Sequence, residues 1–175
     1  MSQLGRAVPP GLMTAPPPAT RPVRADPIAA VLLLIAGALG IWQLLVPWLS
    51  VPVVGGSAGT PTGWQICRTL RALPAPSPEV GWATLAVLGA AVGGGALIVL
   101  GLAMMAPISH RPLGAAALLI SLLSLAGALW VAVHARLIVD VGLFGLFGQA
   151  SAGWYLFLGS GALGIAGAWK ALSTG

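Results

Sequence analysis

Four apolar runs dominate the chain, and each is long enough to cross a membrane as a helix, which takes roughly 20 residues. The first, IAAVLLLIAGALGIWQLLVPWLS, spans about 28–50. It follows Asp26-Pro27, a good N-cap residue ahead of a proline suited to the first helical turn. The second covers 81–106 and stops at Pro107, the third covers 113–137, and the fourth covers 153–172. Trp42 and Trp48 approach the far interface of the first run, and Trp130, Trp154 and Tyr155 fit an aromatic belt at the same side.

The segments between the runs differ from one another. Residues 1–27 hold seven of the fifteen prolines together with Arg6, Arg21 and Arg24, so this tail is expected to be extended rather than packed. In the loop 51–79, VPVV (Val51–Val54) is a candidate strand of a small β-hairpin, and GGSAGTPTG is a turn-rich hinge. Thr62 and Gln65 then match a capping box, and Ile66, Leu70 and Leu73 fall at i, i+4 and i+7. Trp64, Arg68 and Arg71 border that apolar face, which predicts a short amphipathic helix touching lipid or a partner. The turn 107–112 is compact. The loop 138–152 carries GLFGLFG, whose Phe144 and Phe147 would lie on one side of a helical turn, although its glycines oppose a rigid helix. The fold expected is an all-α membrane protein: a four-transmembrane-helix bundle with an extracytoplasmic amphipathic helix.

Composition agrees with that pattern. The chain of 175 residues is 58% hydrophobic and 6% charged, where soluble domains carry about a quarter charged residues. The net charge of +5 comes from cations scattered at run ends, with no basic stripe for nucleic acid. With Arg6, Arg21, Arg24, Arg111 and Lys170 on one side and Arg68, Arg71 and Arg136 on the other, the positive-inside rule puts both termini in the cytoplasm.

Reactive chemistry is sparse. The cores of the four runs hold no Asp, Glu, Lys, Arg or His; Gln43, Thr84, Ser121 and Ser124 are their polar residues. From Leu113 to His134 is about 32 Å along a helix, so His134, Arg136 and Asp140 fall at the membrane boundary. A single Cys67 permits no internal disulfide and no metal cluster. No nucleophile–base arrangement, phosphate loop or haem ligand pair is evident, so neither catalysis nor a cofactor is expected. Small residues instead recur at four-residue spacing: Gly89 and Gly93, Ala90 and Gly94, Ala91 and Gly95, and Ser160, Gly164 and Ala168. Such stripes allow close helix contact, either inside the bundle or with another subunit.

The long first loop between PWLSV and GWQIC, with a shorter apolar second loop, resembles the claudin-like tetraspan layout, without that family's paired loop cysteines. The Pro-rich tail and four runs also resemble small four-span membrane proteins of mycobacteria and other actinobacteria. Some of those are accessory subunits of Mce-type lipid importers. The resemblance implies a non-catalytic accessory subunit of a plasma-membrane complex, in contact with lipids and a larger hetero-oligomer. A respiratory assembly is the second choice of complex. The rivals are a stand-alone carrier with a cavity lined by Gln43, Ser121 and Ser124, and a lipid sensor using Trp64, Arg68 and Arg71.

Overall fold

The computed structural model describes residues 25–50, 59–72, 77–134 and 143–174. Among these the architecture is all-helical: α1 (Pro27–Trp42), α2 (Gly63–Arg71), α3 (Pro78–Ala103), α4 (His110–Val133), α5 (Leu143–Gln149) and α6 (Ala152–Thr174). Three helices, α3, α4 and α6, are long and apolar enough to cross a membrane, whereas α1 is apolar but has 16 residues. α1 packs against α3 and α6, α4 packs against α3 and α6, and α2 rests on α3.

α1 starts where the sequence predicts. Asp26 accepts a hydrogen bond from the Ala29 N–H at 3.1 Å, and Pro27 occupies the first turn, where its missing N–H costs nothing. Its end differs from the expected 28–50 run, because the helix stops at Trp42. Pro47 supplies the reason: it has no N–H for the Gln43 carbonyl, and its ring would clash with that carbonyl in a continued helix. The Trp48 indole N–H takes over, donating to Gln43 O at 2.7 Å.

The early stop leaves α1 about 15 Å shorter than the 26-residue α3. Trp48 fills the gap. It is buried against Trp154 and Phe157, with ring centroids 5.7 and 5.3 Å away, and was expected instead near the interface. Around it the backbone is laced to two other segments: Trp48 N–H donates to Pro61 O, Ser151 N–H to Trp48 O and Gly153 N–H to Pro47 O, at 2.8–2.9 Å. Isolated antiparallel bridges join Pro47 to Thr62 and Leu49 to Ala150, and no strand forms among the described residues. The candidate strand Val51–Val54 lies outside those residues.

α2 carries the expected capping box in full, with Gln65 N–H donating to Thr62 Oγ1 and Thr62 N–H to Gln65 Oε1. Ile66, Cys67 and Leu70 are buried with Val80, Ala83 and Val87 of α3. α5 is a correction: its glycines do not prevent a helix of seven residues, because Leu146 is anchored in the same cluster and tertiary packing overrides weak propensity.

The opposite end closes differently. Asp26 N–H donates to Met104 O at 3.2 Å, Thr174 Oγ1 donates to Asp26 Oδ2 at 2.6 Å, and His110 Nε2 lies 3.0 Å from Met104 O. Between the two ends the core is made of small residues. A Cβ on Gly94 would lie 2.6 Å from Gly37 O, and one on Gly40 would lie 2.9 Å from Ala90 O. The α1 and α3 backbones are therefore in contact, which small residues make possible between membrane helices.

Two substitutions at Trp48 separate volume from hydrogen bonding. Trp48→Ala should cost about 3–5 kcal/mol by emptying the plug, and Trp48→Phe about 1–3 kcal/mol by leaving the Gln43 carbonyl unpaired. Denaturant unfolding in detergent measures both.

Candidate functional site: a groove between two long helices

α3 and α4 meet more loosely than α1 meets α3 or α4 meets α6. A Cβ on Gly127 would contact Ala86 Cβ at 3.1 Å, and one on Gly93 would contact Ile120 Cγ2 at 3.0 Å. Outside that line of contact the helices leave a groove of about 650 Å³. Its floor includes Ala86, Gly89 and Gly93, Leu85 and Leu123 stand at its sides, and Trp82 and Trp130 lie at one end. The lining is almost wholly apolar.

The exception is Ser124, which is 8% exposed and whose hydroxyl has no hydrogen-bond partner. The other serines of the bundle show what such a hydroxyl does. Ser121 Oγ donates to Ala117 O one turn back at 2.7 Å, and Ser160 Oγ donates from α6 to Ala36 O of α1 at 2.8 Å. An unpaired buried hydroxyl costs about 1–3 kcal/mol. Gln43 Oε1, Gln149 Oε1 and Trp154 Nε1 are also unpaired, but none of these residues lines the groove. The groove includes neither Gln43 nor Ser121, so the cavity expected for a stand-alone carrier is not formed there. Gln43 Nε2 donates instead to Val87 O at 3.2 Å.

The small residues singled out in the sequence divide by face. Gly94, Ser160 and Gly164 are buried in the bundle, Gly94 against Gly37 and Gly164 against Ser121. Gly93 sits at the α3–α4 contact. Gly89 is exposed within the groove, and a Cβ there would meet nothing within 4 Å. Gly95 also has nothing within 4 Å, but it does not line the groove.

The aromatic and basic residues divide too. Trp64 is 48% exposed, Arg68 and Arg71 are exposed on α2, and Phe147 is 46% exposed on α5. Trp154 corrects the expectation of an interfacial contact, since it is 1% exposed and packed edge-on against Trp48 and Phe157. The side chain of Phe144, and all of Arg136 and Asp140, lie outside the described residues. His134 stacks on Trp130 with centroids 3.9 Å apart at the end of α4.

Two titratable groups outside the long helices, Cys67 and Asp26, serve packing. Burial drives the Cys67 thiol up to about 11 despite nearby Arg71, so the thiolate is scarce at neutral pH. Burial also works to raise the Asp26 pKa, but hydrogen bonds from Thr174 and Ala29, with Lys170 and His110 nearby, bring it below its ordinary value. Its contribution to stability is therefore complete above the unfolded carboxylate range and is lost as pH falls through the lower folded value. The Asp26–Thr174 contact was not foreseen, because it joins residues 148 positions apart. Among the described residues no group of three or more His, Cys, Asp and Glu is placed to hold a metal. Compared with protein-family models, curated proteins and solved structures, the chain matches none.

The contrast between the two glycines is measurable. Gly94→Ala should destabilise the protein by about 1–3 kcal/mol through overpacking, whereas Gly89→Ala should be neutral or stabilising by up to about 1 kcal/mol, both read by unfolding in detergent. Cys67, 1% exposed, should resist alkylation at pH 7.5 in the folded protein and react once the chain is unfolded.

Proposed function

We propose that this protein is a non-catalytic accessory subunit of a multi-subunit plasma-membrane complex. In this reading α1 is a fourth crossing beside α3, α4 and α6, both termini are cytoplasmic, and the Trp48 end faces outward. The first choice of complex is a lipid importer of Mce type, on the sequence resemblance, and the second is a respiratory assembly.

The observation that carries the reading is the α3–α4 groove with the unpaired Ser124 hydroxyl. Between membrane helices, lipid is as apolar as leucine, so association relies on close packing and cross-helix hydrogen bonds. Inside this bundle that chemistry joins α1 to α6, where Ser160 reaches the Ala36 carbonyl beside small residues. The groove offers the same components, a glycine floor and a serine hydroxyl, and among the described residues no helix lies on its outer side. Its occupant is a transmembrane helix of a larger subunit. That helix carries a small residue at the contact, which brings its backbone carbonyl within reach of Ser124.

A Cβ at Gly89 meets nothing within 4 Å, so Gly89→Leu fills the groove from its open side and the two roles of the glycines can be separated. The expected outcome is loss of the larger assembly on purification in mild detergent, with the stability of the isolated protein unchanged or raised by up to about 1 kcal/mol. Recovery of the wild type as a monomer under several gentle conditions contradicts the reading, as does an assembly that Gly89→Leu leaves intact.

A further inference from the structure

We infer that α2 carries a binding site for the phosphate of an anionic phospholipid in the outer leaflet. The inference rests on the membrane orientation proposed above but not on the docking of a partner helix.

The position of α2 along the membrane normal comes first. From Met104 to Trp82 along α3 is about 33 Å, from His110 to Trp130 along α4 about 30 Å, and from Thr174 to Tyr155 along α6 about 29 Å. These aromatic residues, 61%, 40% and 52% exposed, thus share one level. That level is one hydrocarbon thickness from the Asp26 end, where aromatic belts meet the headgroups. α2 sits there, because Ile66, Cys67 and Leu70 pack on Val80, Ala83 and Val87 of α3. Trp64 N–H is tied to Leu44 O at 3.0 Å, just beyond the end of α1.

The chemistry of its outer face comes second. A shallow cavity of about 360 Å³ is lined by Gln65, Arg68, Thr69 and Ala72. The capping box orients Gln65: its Oε1 accepts the Thr62 N–H at 2.9 Å, so the amide Nε2 remains as the donor. With the Arg68 guanidinium and the Thr69 hydroxyl, the cavity presents donors and no carboxylate. That set suits an oxyanion and repels nothing negative. It also has no acceptor charge for a choline or amine, which favours a lipid with net negative charge over a zwitterionic one. Arg71, one turn on and exposed, adds a second cation. The described carboxylates are Asp26 at the far end and Glu79, which accepts a hydrogen bond from Ser77 Oγ at 3.0 Å. The neighbouring Trp64, 48% exposed, selects the headgroup layer over bulk water as the source of the phosphate.

The test is native mass spectrometry of the full chain extracted from vesicles of equal phosphatidylglycerol and phosphatidylcholine. The wild type should retain phosphatidylglycerol preferentially. Arg68→Ala should cut that preference about fivefold, near the worth of one basic residue at an anionic surface. Thr69→Val, which alters no charge, should give a smaller loss, and Arg111→Ala at the opposite end should give none. An unchanged melting temperature shows that Arg68→Ala remains folded. Equal retention of both lipids by the wild type overturns the inference, as does undiminished preference in Arg68→Ala. Displacement of phosphatidylglycerol by inorganic phosphate at low millimolar concentration also overturns it, since the site would then serve a soluble anion. Gly89→Leu should leave the preference intact, which separates this site from the helix-docking groove.

Discussion

Backbone contact between α1 and α3 is the constraint on which the rest of the structure depends. Gly37 and Gly94 bring the two helices so close that neither position tolerates a side chain. Between apolar helices there is little solvent-driven force, so this contact and its counterparts at Gly40, Gly164 and Gly167 supply the packing that a soluble core draws from large side chains. The inner cluster accordingly consists largely of alanine, with Leu33, Leu97 and Met104 as its bulky members.

That choice has a consequence at the Trp48 end. With α1 ended by Pro47, small residues cannot fill the space above it, and an aromatic plug takes over. Trp48 meets three needs at once: it fills volume, supplies the hydrogen bond that Pro47 withholds, and clasps the segments around Pro61 and Ser151. α2 lies over the part of α3 that α1 does not reach. The shortness of one helix therefore leaves that face of α3 to α2, which keeps Arg68 and Arg71 exposed.

Much of this was legible in the sequence, and the misreadings have physical causes. The apolar runs locate α3, α4 and α6 closely, and the Thr62–Gln65 capping box with Ile66 and Leu70 describes α2 correctly. The end of α1 is hidden in the sequence because hydropathy continues through Pro47, while the break that proline imposes is local to the backbone. Trp154 departs from expectation because a tryptophan near a run's end usually lies at the interface. Its burial depends on Trp48, 106 positions away, which only the fold brings to it. The small-residue stripes were visible, but three adjacent stripes on α3 do not reveal which one meets α1. The register of α1 against α3 decides that, burying Gly94 and leaving Gly89 open.

Small residues facing inward pack this bundle together, and the Gly89 face is the one proposed to receive another helix. Chemical labelling of a cysteine at the rim of the groove tests it most directly. Leu85→Cys, 60% exposed in the isolated protein, is compared with Val31→Cys on α1, 48% exposed, using a membrane-permeant maleimide. The account predicts that both react when the purified protein is reconstituted alone, and that in native membranes position 85 is protected while position 31 still reacts. Equal reaction at both positions in native membranes would contradict it.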